Sequence, residues 1–140
     1  MKCRFPLTAL LAALLLAGCQ VNSKDQVLAT GASQVQLRSF QSRAFDTTSQ
    51  EQTLRTVIAT LQDLSFVIDK ADATLGTVSA TKLSGYQVRM TVTVRPRGET
   101  QLLVRANAQY NLRAIEDPQP YQQFFSALER SMFLTAQAAD

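Results

Sequence analysis

Histidine and tryptophan are missing from this chain, and cysteine occurs only twice, at Cys3 and Cys19. Without histidine the commonest general base and the commonest metal ligand are gone. Both cysteines lie in the first nineteen residues, so everything after them has no thiol for nucleophilic catalysis, thiolate metal binding or a disulfide. Five glycines in all leave no G-x-G-x-x-G string and no P-loop to cradle a phosphate. Most hydrolase, zinc and nucleotide-dependent mechanisms therefore have no residues to run on. The sequence offers no catalytic set, no metal set and no cofactor motif, and the expectation is a protein that is not an enzyme.

What is present begins at the N-terminus. Lys2 and Arg4 form a short positive region, and Phe5 to Ala17 is apolar except for Pro6 and Thr8. A charged start, an apolar core and small residues at its end make a secretory signal. The run is too short for an ordinary spanning helix, which needs roughly 20 apolar residues. It closes on Leu16-Ala17-Gly18-Cys19. These four residues resemble the lipobox of bacterial lipoproteins. The resemblance implies cleavage between Gly18 and Cys19, a diacylglyceryl group on the Cys19 thiol and an acyl chain on the new amine. Each buried methylene contributes about 0.8 kcal/mol, and more than one chain is needed for stable anchoring. Gln20, rather than Asp, follows the cysteine. In enteric-type bacteria that resembles the signal for transfer to the outer membrane, so the expected address is its periplasmic face, held through the lipid.

Loss of the leader changes the charge. The whole chain has fourteen Lys and Arg against eleven Asp and Glu, a formal net charge of +3. Without Lys2 and Arg4, twelve basic residues face eleven acidic ones, a balance near +1. Most of the basic character that hints at nucleic-acid binding disappears, and secretion makes nucleic acid an unsuitable partner. With no disulfide available, the remaining chain must hold together by its core, and its length suits one domain of normal size.

The expected organisation is a signal peptide at 1–18, a polar lipidated tether at 19–34 and a single α+β periplasmic domain at 35–140. A flexible tether of about 15 residues reaches some 20 Å. Val35 to Phe45 reads as a first strand, with a phase shift at Phe40. Thr48 and Glu51 form a capping-box pattern. Leu54, Val57, Ile58, Leu61 and Leu64 then fall on one helical face. Phe66 to Asp69 and Thr77 to Leu83 read as strands around a turn at Ala71 to Gly76, and Ser84-Gly85 turns the chain again. Tyr86, Val88, Met90, Val92 and Val94 alternate strictly with polar residues, which means one buried and one wet face. After turn residues Pro96-Arg97-Gly98-Glu99, Leu102 to Arg113 repeats the pattern, with Ala106 and Ala108 leaving room for a helix. Asp117-Pro118-Gln119-Pro120 opens a last helix with an apolar stripe of Tyr121, Phe124, Phe125, Leu128 and Met132. The fold class is α+β: an antiparallel sheet of four to five strands with two amphipathic helices on one face, in the order β-α-β-β-β-β-α.

Two motifs tempt and fail. Ser79-Ala80-Thr81-Lys82 matches the S-x-x-K string of serine β-lactamases. In a strand, however, residues three apart point to opposite faces. Asp63, Asp69 and Asp72 lack the spacing of a calcium loop and read as solvated turn acids. The polar sheet face holds more promise. Arg89, Arg95, Arg105 and Arg113 share it with Asn107 and Gln109, with no acidic residue in that stretch. Arginine favours bidentate contacts with carboxylate and phosphate, so these six residues form the candidate partner-binding face.

The element order, and a helix leading into Leu64-Ser65-Phe66-Val67-Ile68-Asp69, resemble the helix-grip domains of the lipoprotein C subunit of the outer-membrane β-barrel assembly machine. The whole sequence also looks like small bacterial lipoproteins with no assigned activity. These resemblances imply an anchor and a folded periplasmic domain. The expected function is a membrane-anchored, non-enzymatic binding or accessory component of a cell-envelope assembly, whose partner is another envelope protein. An alternative is a domain that binds a small apolar or lipid ligand between sheet and helices. A carboxylate-dependent envelope hydrolase is a remote third, because no convincing acid pair is present. Cys19→Ser should abolish acylation and leave an unprocessed precursor, read by intact mass and detergent-phase partitioning. A processed variant that still enters the detergent phase would contradict the lipobox reading.

Overall fold

The structure is a computed structural model that describes residues 34–138 except Gly85, and for residues 84, 86 and 134–138 it describes the backbone alone. The expected leader and the tether up to residue 33, with Cys19 in it, lie outside the described residues. A helical segment at 34–41 leads into β1 (Ser42–Phe45). It is followed by α1 (Gln50–Asp63), β2 (Val67–Asp72), β3 (Thr77–Ser84), β4 (Tyr86–Arg97), β5 (Gln101–Tyr110), β6 (Arg113–Ala114) and α2 (Gln119–Ala138). The strands form one antiparallel sheet in the order β1-β5-β4-β3-β2, and the two-residue β6 also pairs with β5. The class is α+β, as the patterning requires, with one short strand more than the four to five expected.

The alternation in β4 and β5 sets the layers. Met90, Val92 and Val94 lie opposite Ala108, Ala106 and Val104. All six are buried in one core with Leu54, Val57 and Leu61 of α1 and Tyr121, Phe124, Phe125 and Leu128 of α2. Both helices therefore cover the same side of the sheet. The buried face of α1 is wider than its aliphatic stripe. Thr53, Thr56 and Thr60 are also buried, and their hydroxyls donate to the carbonyls of Ser49, Gln52 and Thr56 at 2.9, 2.9 and 2.8 Å. Each hydroxyl is satisfied within its own helix, so the rest of the side chain enters the core with no partner needed elsewhere.

Several boundaries differ from the sequence expectation: β2 runs on to Asp72, past the expected turn start at Ala71, β5 ends at Tyr110 rather than Arg113, and three more have a local cause. Residues 34–41 are helical rather than strand, and only Ser42–Phe45 pairs with β5, at Leu102 to Arg105. Further along β5 the edge is already occupied. The Tyr121 hydroxyl accepts from the Ala108 amide at 3.1 Å and from Gln41 Nε2 at 3.2 Å. It donates to the Ile115 carbonyl at 2.7 Å, while the Ile115 amide donates to the Ala108 carbonyl at 2.9 Å. A longer β1 has no free amide or carbonyl to pair with there. Phe40 instead packs its ring on Tyr121, 5.5 Å between centroids. The second difference is the cap of α1. Ser49, not Thr48, accepts from the Gln52 amide, and Glu51 pairs with Arg55 one turn on.

The third is the β4–β5 turn, which spans 98–100 while Pro96 and Arg97 stay in β4. Proline is tolerated because β3 ends its pairing at Thr93, so on the side away from β5 no paired strand is there to receive an amide. At the β2–β3 turn, Gly76 has φ +62°, and an added Cβ would collide with the Val94 carbonyl. The Val94 amide donates to Gly76 at 2.8 Å, so the turn is held tightly against β4.

Tyr121 is fully buried, and its hydroxyl uses its one donor and both acceptor positions. Tyr121→Phe leaves the Ala108 amide and the Ile115 carbonyl without that partner. An orphaned buried group costs about 1–3 kcal/mol, so chemical denaturation should show a stability loss of that order with an unchanged m-value. A loss below about 0.5 kcal/mol would show that the hydroxyl does not hold the β5 edge.

Candidate functional site

The side of the sheet away from the helices is built as rungs, because directly opposed residues on antiparallel strands point the same way. Thr81, Arg89 and Gln109 make one rung across β3, β4 and β5. Ser79, Thr91 and Asn107 make the next, and Thr77, Thr93 and Arg105 a third. Arg95 follows opposite Leu103. Two residues of strand advance about 6.7 Å. Arg89 and Arg95 are thus about 20 Å apart along β4, and Arg105 is the diagonal neighbour of Arg95. Arg89, Arg95, Arg105, Asn107 and Gln109 are all exposed. No described helix lies on this side.

The polar groups between the arginines are partly tied down. The Ser79 and Thr91 hydroxyls are 3.4 Å apart. Arg105 Nε donates to Ser42 Oγ on β1 at 3.1 Å, which orients that guanidinium and engages none of its terminal nitrogens. Among the described residues the ion pairs are Arg43–Glu129 and Arg55–Glu51. Neither touches this face, so Arg89, Arg95 and Arg105 have no ion-pair partner among the described residues. The first pair belongs to the helix side, where Arg43 also lies 5.2 Å from the centre of the Phe125 ring.

Two expectations about the face need correction. Arg113 is not on it. Asn111 adopts φ +53° and the chain turns at 111–112, so the alternation that runs through β5 stops at Tyr110. Arg113 then pairs directly with Tyr110, a residue of the opposite phase from Gln109. It therefore points to the other side of the sheet from Arg89 and Arg105. Nor is the face free of acids. The β2–β3 register shifts between Ile68 and Lys70, and Asp69 in this bulge accepts from Thr81 Oγ1 at 2.6 Å. Thr81 sits next to Arg89 in its rung, so one carboxylate borders the basic area from the edge strand. Asp72, the other acid of β2, accepts from the Leu75 amide at 2.9 Å and serves the turn.

The sequence reading missed the contribution of β3. Thr77, Ser79 and Thr81 alternate with buried Val78 and Ala80, and that alternation was the available signal. It also splits the S-x-x-K string, since Ser79 lies opposite Thr91 on the outer side and Lys82 opposite Val88 on the helix side. No group of His, Cys, Asp and Glu that could hold a metal occurs among the described residues, and no described helix is long and apolar enough to cross a membrane. No buried side-chain nitrogen or oxygen among them lacks a hydrogen-bond partner. A comparison with protein families finds no match for this chain, and a comparison with curated proteins finds none.

Proposed function

We propose that this protein is a lipid-anchored bacterial lipoprotein at the periplasmic face of the outer membrane. Its domain acts as a non-enzymatic binding or accessory component of a cell-envelope assembly, with the outer side of the sheet as its working surface. The anchor and the address rest on the resemblance of Leu16-Ala17-Gly18-Cys19 to a lipobox. The observation that carries the working surface is the set of three exposed guanidinium groups, Arg89, Arg95 and Arg105, held in register without an ion-pair partner among the described residues.

The partner that suits this surface is a protein presenting carboxylates. A guanidinium engages a carboxylate with two parallel N–H···O bonds, and the amides of Asn107 and Gln109 add both donors and acceptors beside it. Charges that stay exposed at a rim contribute little, about 0–1 kcal/mol per pair. Removal of one member of a pair that binding has desolvated costs about 2–5 kcal/mol. The account therefore places most of the affinity in those arginines that the partner covers.

Arg89→Glu combined with Arg105→Glu should reduce co-purification of an envelope partner at least about tenfold, the equivalent of 1.4 kcal/mol. Arg113→Glu, on the other side of the sheet, should leave it unchanged. Quantitative mass spectrometry after crosslinking in intact cells measures both. Recovery with the double variant equal to that of the wild type would remove this face as the working surface.

A further inference from the structure

The helix side of the sheet holds a feature that the partner-binding reading does not use. Inward positions of β3 begin with Val78 and Ala80, both buried, and then change to Lys82. A lysine on the core side of a strand needs a reason. Its Nζ donates to the Leu64 carbonyl at the end of α1, 3.0 Å away, and lies 5.6 Å from the centre of the Phe66 ring. That carbonyl is its one protein acceptor among the described residues, and an ammonium has three N–H donors.

Beside Lys82 is a cavity of about 250 Å³. Its walls are Leu64, Phe66, Val88, Met90, Ile115 and Pro120, with Gln123 at the rim. It forms where α1 has ended and α2 begins, between Leu64 on one side and Pro120 and Gln123 on the other. No carboxylate among the described residues lines it. Asp117, close by in sequence, is committed to the Gln119 amide at 2.9 Å. The site thus combines apolar walls with one cation that has donors to spare. Its volume lies just below the 300–1,000 Å³ of ordinary ligand pockets, which limits the occupant to something small.

We propose that this cavity binds a short single-chain amphiphile with an anionic head. The apolar chain lies against Phe66, Val88, Met90 and Ile115, and the head accepts from Lys82 Nζ. Charge complementarity selects the class: an aliphatic cation would place two positive charges together in a largely apolar space, and a neutral chain would offer no acceptor to the donors that the Leu64 carbonyl does not engage. This site is on the opposite side of the sheet from the arginines, so its occupancy and the partner-binding reading stand or fall separately.

The test uses the full-length protein in lipid nanodiscs and a photoreactive analogue of octanoate, with adducts located by peptide mapping. Labelling is expected in Leu64–Phe66, Val88–Met90 and Ile115–Gln123. Octanoate or octyl phosphate should protect against it and octylammonium should not, and the better competitor identifies the head as carboxylate or phosphate. Lys82→Met should weaken labelling roughly tenfold or more, as loss of a hydrogen bond to a charged group does. Gln123→Trp replaces an exposed rim residue, leaves the Leu64 contact in place and should block entry. Equal protection by octylammonium, or full labelling of both variants, would overturn the proposal.

Discussion

The register of β4 against β5 is the constraint on which the rest of the molecule depends. Ten successive pairs, from Val88 opposite Tyr110 to Arg97 opposite Gln101, fix the side on which every residue of the hairpin lies. A slip of one residue would reverse them all, sending Arg89 and Arg105 into the core and Met90 and Val104 into water. Burial of the aliphatic set makes that slip costly. The short turn at 98–100, with Gly98 at φ +66°, and the Tyr121 hydroxyl on the Ala108 amide hold the hairpin at its two ends.

From this register follows a separation of tasks. One side of the sheet is spent on stability, where both helices deliver their apolar stripes and threonines to the same core. The other side carries polar rungs that no described helix covers. The same logic explains why Arg43 and Lys82 differ from the outer arginines. They lie on the helix side, where Arg43 is paired with Glu129 and packed on Phe125, while Lys82 has a single backbone acceptor among the described residues and lies beside a cavity.

Much of the architecture was legible in the chain. Strict alternation in Tyr86–Val94 and Leu102–Tyr110 gave the two-sided hairpin, and the stripes after Ser49 and Asp117 gave the helices. What escaped has physical causes. The positive φ of Asn111 resets the phase of alternation, which moved Arg113 to the wrong side. The bulge at Asp69 brings a carboxylate to the basic face that spacing alone does not reveal. The threonines of α1 hide their polarity in local hydrogen bonds, so their burial has no hydrophobic signature. The first part, Val35–Gln41, of the strand expected at Val35–Phe45 rested on two alternating residues, and the edge it needed is taken by Tyr121 from some eighty residues away. The cavity draws its walls from three separate stretches of chain, a convergence that no local pattern encodes.

The central claim is that the outer side of the sheet is where this protein meets its partner. Its most direct test is a photoreactive amino acid placed at Asn107, in the middle rung, and separately at Gln122, exposed on α2, with irradiation of intact cells. The account predicts a discrete covalent adduct to an envelope protein from position 107 and none from position 122. An adduct from 122 alone would contradict it, and so would no adduct from 107 in cells where the wild-type partner co-purifies.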